Sequence, residues 1–142
     1  MDRSEGRLPS YGFSPVGQLV LRADMAPVYE HSGPPLPSAV YAFCQNGLVM
    51  YFGQTSVGLQ PRLRGLASVI RRDAAVGTLN AKCQIFLSAM GHGPLAVWAK
   101  PPERHVIHGV ECDLLEAEEI VLMRLLDTPW NDRGKSQRTR QI

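Results

Sequence analysis

The sequence predicts an α+β fold, and three observations carry that reading. Two apolar, β-branched and aromatic runs, Ala39 to Cys44 and Leu48 to Gly53, flank a tight Asn46-Gly47 turn signal, which is the pattern of a β-hairpin. Two stretches, Leu59 to about Arg72 and Leu114 to Leu126, repeat apolar residues at three and four, the period of a helix. Leu95 to Ala99 reads as a further strand between them.

Each element has a local cause. Residues 1–16 are rich in Gly, Pro and Ser and read as loop or loosely held arm. Gln18 to Arg22 reads as a short strand. His31-Ser32-Gly33-Pro34-Pro35-Leu36-Pro37 is a linker, because proline fits neither a helix interior nor a central strand. The first helix places Leu63, Leu66, Ala67 and Ile70 on one face, with Pro61 in its first turn, where a missing N–H costs nothing. Asn80 is positioned to cap a second helix that runs to Met90 and stops at Gly91-His92-Gly93-Pro94. Lys100 to Cys112 reads as a long loop. The last helix ends before Pro129. No internal repeat is present.

Composition bounds the function. The 142 residues fit one domain with a sizeable core, and 44% apolar with 20% charged residues is the balance of a soluble globule. No run approaches the eighteen apolar residues of a membrane span, and Met1 to Arg7 leads into no apolar segment of a secretory signal. Cys44, Cys83 and Cys112 are odd in number and widely spaced, which fits a reducing cytoplasm. His105, His108 and Cys112 match no familiar zinc spacing and lack a fourth ligand. Net charge is +2, but basic residues cluster at Arg62, Arg64, Arg71 and Arg72, with Lys82 following, and again at Arg133, Lys135, Arg138 and Arg140, around an acidic stretch from Glu111 to Glu119. Basic flanks around an acidic centre suit phosphate contacts about a metal.

A set of short motifs then stands out in order: Ala39-Val40-Tyr41, Tyr51-Phe52-Gly53, Arg62-Leu63, Glu119 with Leu122-Met123, and Trp130-Asn131. Together they resemble the GIY-YIG nuclease family over about residues 38–134. The ending is closest to restriction-type and stand-alone members. The resemblance implies a small α/β sandwich with a three-stranded antiparallel sheet flanked by helices. It divides the chain into an N-terminal arm and linker (1–37), a nuclease core (38–134) and a basic tail (135–142). It implies an endonuclease that hydrolyses DNA with one divalent metal, Mg²⁺ or Mn²⁺. The implied catalytic residues are Tyr41, Tyr51, Arg62, Glu119 and Asn131.

The chemistry asks for those residue types. Hard divalent cations prefer carboxylate oxygen and keep several waters, so one carboxylate, Glu119, can serve. Glu118 competes with it, because Glu118 sits nearer the middle of the helix's apolar arc and Glu119 at its edge. Arg62 can hold phosphate oxygens bidentately and never loses its charge. Tyr41 or Tyr51 would orient or deprotonate water, and Asn131 would support the site's geometry. Arg64, Arg71, Arg72, Arg133 and Lys135 are the expected phosphate contacts. Sharing one site requires both tyrosines on one hairpin face. A two-residue loop puts them on opposite faces, and a three-residue Gln45-Asn46-Gly47 loop sets Tyr41 across from Tyr51.

One position departs from the family: Leu66 stands where many members have His or Tyr, four residues after the arginine. The loop histidines His92, His105 and His108 are candidates to replace it. The departure keeps a second reading open, a nucleic-acid-binding relative without cleavage. A third is an unrelated α/β interaction protein in which the motifs are accidental.

Overall fold

Five strands form one antiparallel sheet: β1 (Ser14–Leu21), β2 (Pro27–His31), β3 (Ala39–Gln45), β4 (Leu48–Thr55) and β5 (Leu95–Lys100), in the spatial order β2-β1-β5-β3-β4. The computed structural model describes residues 2–131. Arg133, Lys135 and the expected tail 135–142 lie outside the described residues. Among the described residues, no helix is long and apolar enough to cross a membrane.

The sheet has five strands, not the expected three: β1 takes in most of the short strand read at Gln18 to Arg22, and β2 comes from the region expected as arm and linker. Val16, Leu19 and Tyr29 turn into the same core as Tyr41, and Leu19 is fully buried. Ahead of β1, a 3-10 helix (Glu5–Tyr11) buries Leu8, and Phe13 follows it into the opposite face. Glu5 N–H donates to the Gly47 carbonyl at 2.8 Å and Val49 N–H donates to Arg3 at 2.7 Å. Residues 3–5 thus satisfy backbone groups at the tip of the β3–β4 hairpin. The Gly/Pro/Ser composition hid this, since such residues report local flexibility and not tertiary docking.

Helices cover both faces. On one side α1 (Leu59–Val76) and α2 (Ala81–Met90) bury Leu59, Leu63, Ile70 and Phe86 against Tyr41, Phe43, Tyr51 and Val97. Asn80 caps α2 as expected, its side chain accepting from Cys83 N–H at 2.8 Å. Lys100 to Cys112, expected as a loop, instead contains a small hairpin, β6 (Arg104–Ile107) and β7 (Val110–Asp113). Its turn residues His108 and Gly109 have φ of 50° and 79°. The strands lie outside the core, so the alternation that burial imposes is missing from their sequence. On the sheet's other side α3 (Leu115–Leu126) packs Leu115, Leu122, Met123 and Leu126 against Val40, Ala42 and Phe52.

The central hairpin uses a third solution to the register problem. Its turn has two residues, Asn46 and Gly47 at φ 55° and 75°, with Gln45 opposite Leu48. Cys44 then pairs with Val49 but Phe43 pairs with Tyr51, leaving Met50 as an extra residue. That β-bulge shifts β4 by one and returns Tyr51 to the face of Tyr41. Tyr41 stands opposite Gly53, not Tyr51.

Candidate active site

A cleft of about 670 Å³ runs along the β4 edge, where α1 and α2 on one face approach the end of α3 on the other. Tyr41, Tyr51, Arg62, Glu119 and Asn131 all line it. The five residues come from β3, β4, α1, α3 and the short 3-10 turn Pro129–Asn131, so only folding brings them together.

The two tyrosines form the floor. Their ring centroids lie 6.4 Å apart, and both rings are almost fully buried beside Phe43. Gly53 makes this possible. A Cβ there would fall 2.4 Å from Tyr41 Cζ, so the Tyr41 ring occupies the space a side chain would need. Burial pushes the Tyr41 hydroxyl up to about 12, with the neighbouring Tyr51 adding to the rise and Arg62 opposing it. Burial also raises Tyr51 to about 12, helped by the Glu119 charge and opposed by Arg62. Both phenols are therefore neutral in the free protein near pH 7.

Arg62 rises from the first turns of α1 to line the cleft beside Tyr41. The Tyr41 hydroxyl raises its already high guanidinium pKa, against the opposing effect of burial. Glu119 enters the cleft from α3 on the helix's buried side, with Leu115, Leu122, Met123 and Leu126, whereas Val121 and Leu125 of the expected apolar arc are exposed. Its competitor Glu118 is engaged elsewhere: it bonds the buried Lys100 ammonium and the Glu103 N–H. Glu118 thereby has the buried Lys100 as its partner, as a carboxylate taken out of water requires.

Asn131 grips the edge of β4. Phe52 N–H donates to Asn131 Oδ1 at 2.8 Å, and Asn131 Nδ2 donates to the Phe52 carbonyl at 2.9 Å. Thr128 Oγ1 donates to the same Oδ1 at 2.7 Å, orienting the amide. Trp130 is half-buried at the cleft wall, its ring 5.8 Å from Phe86.

Other expectations fall outside the cleft. Arg64 projects from α1 near Tyr29 of β2, and its charge is felt there. Arg71 and Arg72 are exposed farther along α1, with Arg72 paired to Asp73 at 3.0 Å. None of the histidines proposed to stand in for Leu66 reaches the site. His92 lies in the turn after α2, while His105 and His108 belong to the β6–β7 hairpin. Leu66 itself packs against the core.

Sequence reasoning missed Lys82 as a site residue. It lines the cleft from the first turn of α2, and its Nζ donates to Tyr51 Oη at 3.2 Å while lying 5.5 Å from the ring centre. A signal was available. A lysine just inside a capped helix start opposes the helix dipole, and such local conflict marks functional positions.

No protein-family model matches the chain, and no curated protein matches it in sequence. Two solved nucleases share its fold. A glutamate-to-alanine variant of bacteriophage T4 EndoII superposes with a TM-score of 0.71 at 20% identity, across 92% of this chain and 99% of that one. Restriction endonuclease HPY188I, solved in complex with product DNA, gives a TM-score of 0.55 at 16% identity, across 87% of this chain and 80% of its own. EndoII is a GIY-YIG nuclease, so the resemblance seen in the motifs extends to the fold.

Proposed function

We propose that this protein is a GIY-YIG-type endonuclease that hydrolyses DNA phosphodiester bonds with one divalent metal ion, Mg²⁺ or Mn²⁺. One observation supports it above the others. Two tyrosines, an arginine and a carboxylate, separated by up to 78 positions in the chain, converge on one cleft in a fold shared with two nucleases.

The donor set suits such an ion. Among the described residues no cluster of three or more His, Cys, Asp or Glu side chains forms a protein cage. A single cleft carboxylate fits a hard cation that keeps most of its water, and Glu119 would hold it. When bound, the ion would make a coordinated water more acidic and offset charge on the phosphate.

The chain's own groups divide the remaining work. Arg62 holds non-bridging phosphate oxygens from its place beside Tyr41 in the cleft. Tyr51 orients the attacking water as a neutral phenol. Asn131 keeps β4, and with it Tyr51 and Gly53, in place. Arg64, Arg71, Arg72, Arg133 and Lys135 serve flanking DNA phosphates, which position a duplex without reading its sequence. A cytoplasmic location belongs to the same reading and is supported by Cys44, Cys83 and Cys112 as free thiols.

The non-cleaving alternative rests on Leu66. Nicking of supercoiled plasmid with Mg²⁺ or Mn²⁺ separates the two. The nuclease reading expects nicks that stop on chelation and are absent from Glu119→Ala. DNA binding without nicks under either metal would select the non-catalytic relative.

A further inference from the structure

We propose that Lys82 is the second phosphate-binding cation of the cleft, acting with Arg62 and carried on α2 where the family's usual side chain on α1 is replaced by Leu66. The inference rests on the nuclease reading above.

The company each cation keeps is the first argument. Among the described residues, the ion pairs seen tie up Arg72, Lys100 and Arg104 with carboxylates. The two cations lining the cleft sit beside phenols instead, Arg62 by Tyr41 and Lys82 donating to Tyr51 Oη at 3.2 Å. A neutral phenol fixes an ammonium group without cancelling its charge. The cleft therefore brings two cations to the side of the Glu119 carboxylate, one of them held on a phenol, and a dianionic transition state needs such positive charge.

Placement on the helix is the second argument. Lys82 is the second residue of α2, with Ala81 and Lys82 both lining the cleft. The start of a helix carries partial positive charge, so a lysine there costs stability and an anion gains it. Lys82 and the helix start repel each other until a phosphate comes between them.

Geometry at Tyr51 is the third. With Lys82 donating to its oxygen at 3.2 Å, the Tyr51 hydroxyl hydrogen is left to point away from Lys82. The same contact that anchors the cation thus orients the phenol.

Lys82→Met and Lys82→Arg test this in the full chain. Thermal unfolding should show Lys82→Met at least as stable as wild type, because an unfavourable charge leaves the helix start. Its single-turnover cleavage rate should fall by about 100-fold, the scale of one preorganised transition-state donor. DNA affinity should change much less, since one phosphate contact is a small part of the interface. Lys82→Arg should recover at least a tenth of the wild-type rate. Cleavage by Lys82→Met at the wild-type rate overturns the proposal and leaves the nuclease reading standing. Loss in both variants with equal loss of stability overturns it in favour of a packing role. Absence of cleavage by the wild-type protein overturns both.

Discussion

Asn131 substitutes for a missing strand at the Phe52 peptide unit. Its carboxamide accepts from Phe52 N–H at 2.8 Å and donates to the Phe52 carbonyl at 2.9 Å, as a neighbouring backbone would. Phe52 lies between the cleft residues Tyr51 and Gly53 on edge strand β4. Asn131→Ala leaves both Phe52 groups without that partner, at a cost of about 1–3 kcal/mol. Cleavage should fall further than this loss of stability explains at temperatures where the variant stays folded. Unfolding curves and cleavage rates on the same preparations check it. A variant as stable as wild type would remove the clip from the argument.

Gly53→Ala should be worse than its size implies. The added methyl would sit 2.4 Å from Tyr41 Cζ and 2.6 Å from its Oη, so the ring must shift from its place in the cleft floor. Overpacking of this kind costs about 1–3 kcal/mol. We expect near-complete loss of nicking with a folded circular-dichroism spectrum. Normal nicking would show that Tyr41 tolerates displacement and has no close role in the chemistry.

The two adjacent glutamates should behave oppositely. Glu119→Ala is expected to keep its fold and lose metal-dependent nicking. Glu118→Ala leaves the buried Lys100 with only the exposed, more distant Glu103 at 3.4 Å, so it should lose about 3–5 kcal/mol of stability. Below its melting temperature it should still cut DNA. Reversal of the two phenotypes would assign the ligand role to Glu118.

Tyr41 predicts an alkaline limb in stability. Its hydroxyl is raised to about 12 by burial, while an unfolded tyrosine titrates near pH 10. The unfolded state therefore releases this proton first as pH rises. The contribution is fully present below about pH 10 and is lost as pH climbs toward 12. Tyr41→Phe has no proton to release, so its stability should fall less over that window. Urea denaturation at intervals from pH 9 to 12 makes the comparison. Identical slopes would mean that Tyr41 ionises in the fold as readily as in the unfolded chain.

The sequence by itself determined the elements that carry their own signals. The Asn46-Gly47 turn, the helical repeat of Leu63, Ala67 and Ile70, the Asn80 cap and the two tyrosine runs all depend on neighbours within a few residues. Tertiary structure decided what depends on distant partners. The strand at Gln18 to Arg22 was legible, but residues 3–13 and β2 found their places through edges and core faces supplied by residues far along the chain. The bulge at Met50 set which face Tyr51 shows, a one-residue choice that alternation alone leaves open. Lys100 made Glu118 a structural residue, and α2 brought Lys82 to Tyr51 across 31 positions of sequence. Burial and charge pairing act through space, so a side chain's chemical role appears only when its neighbours do.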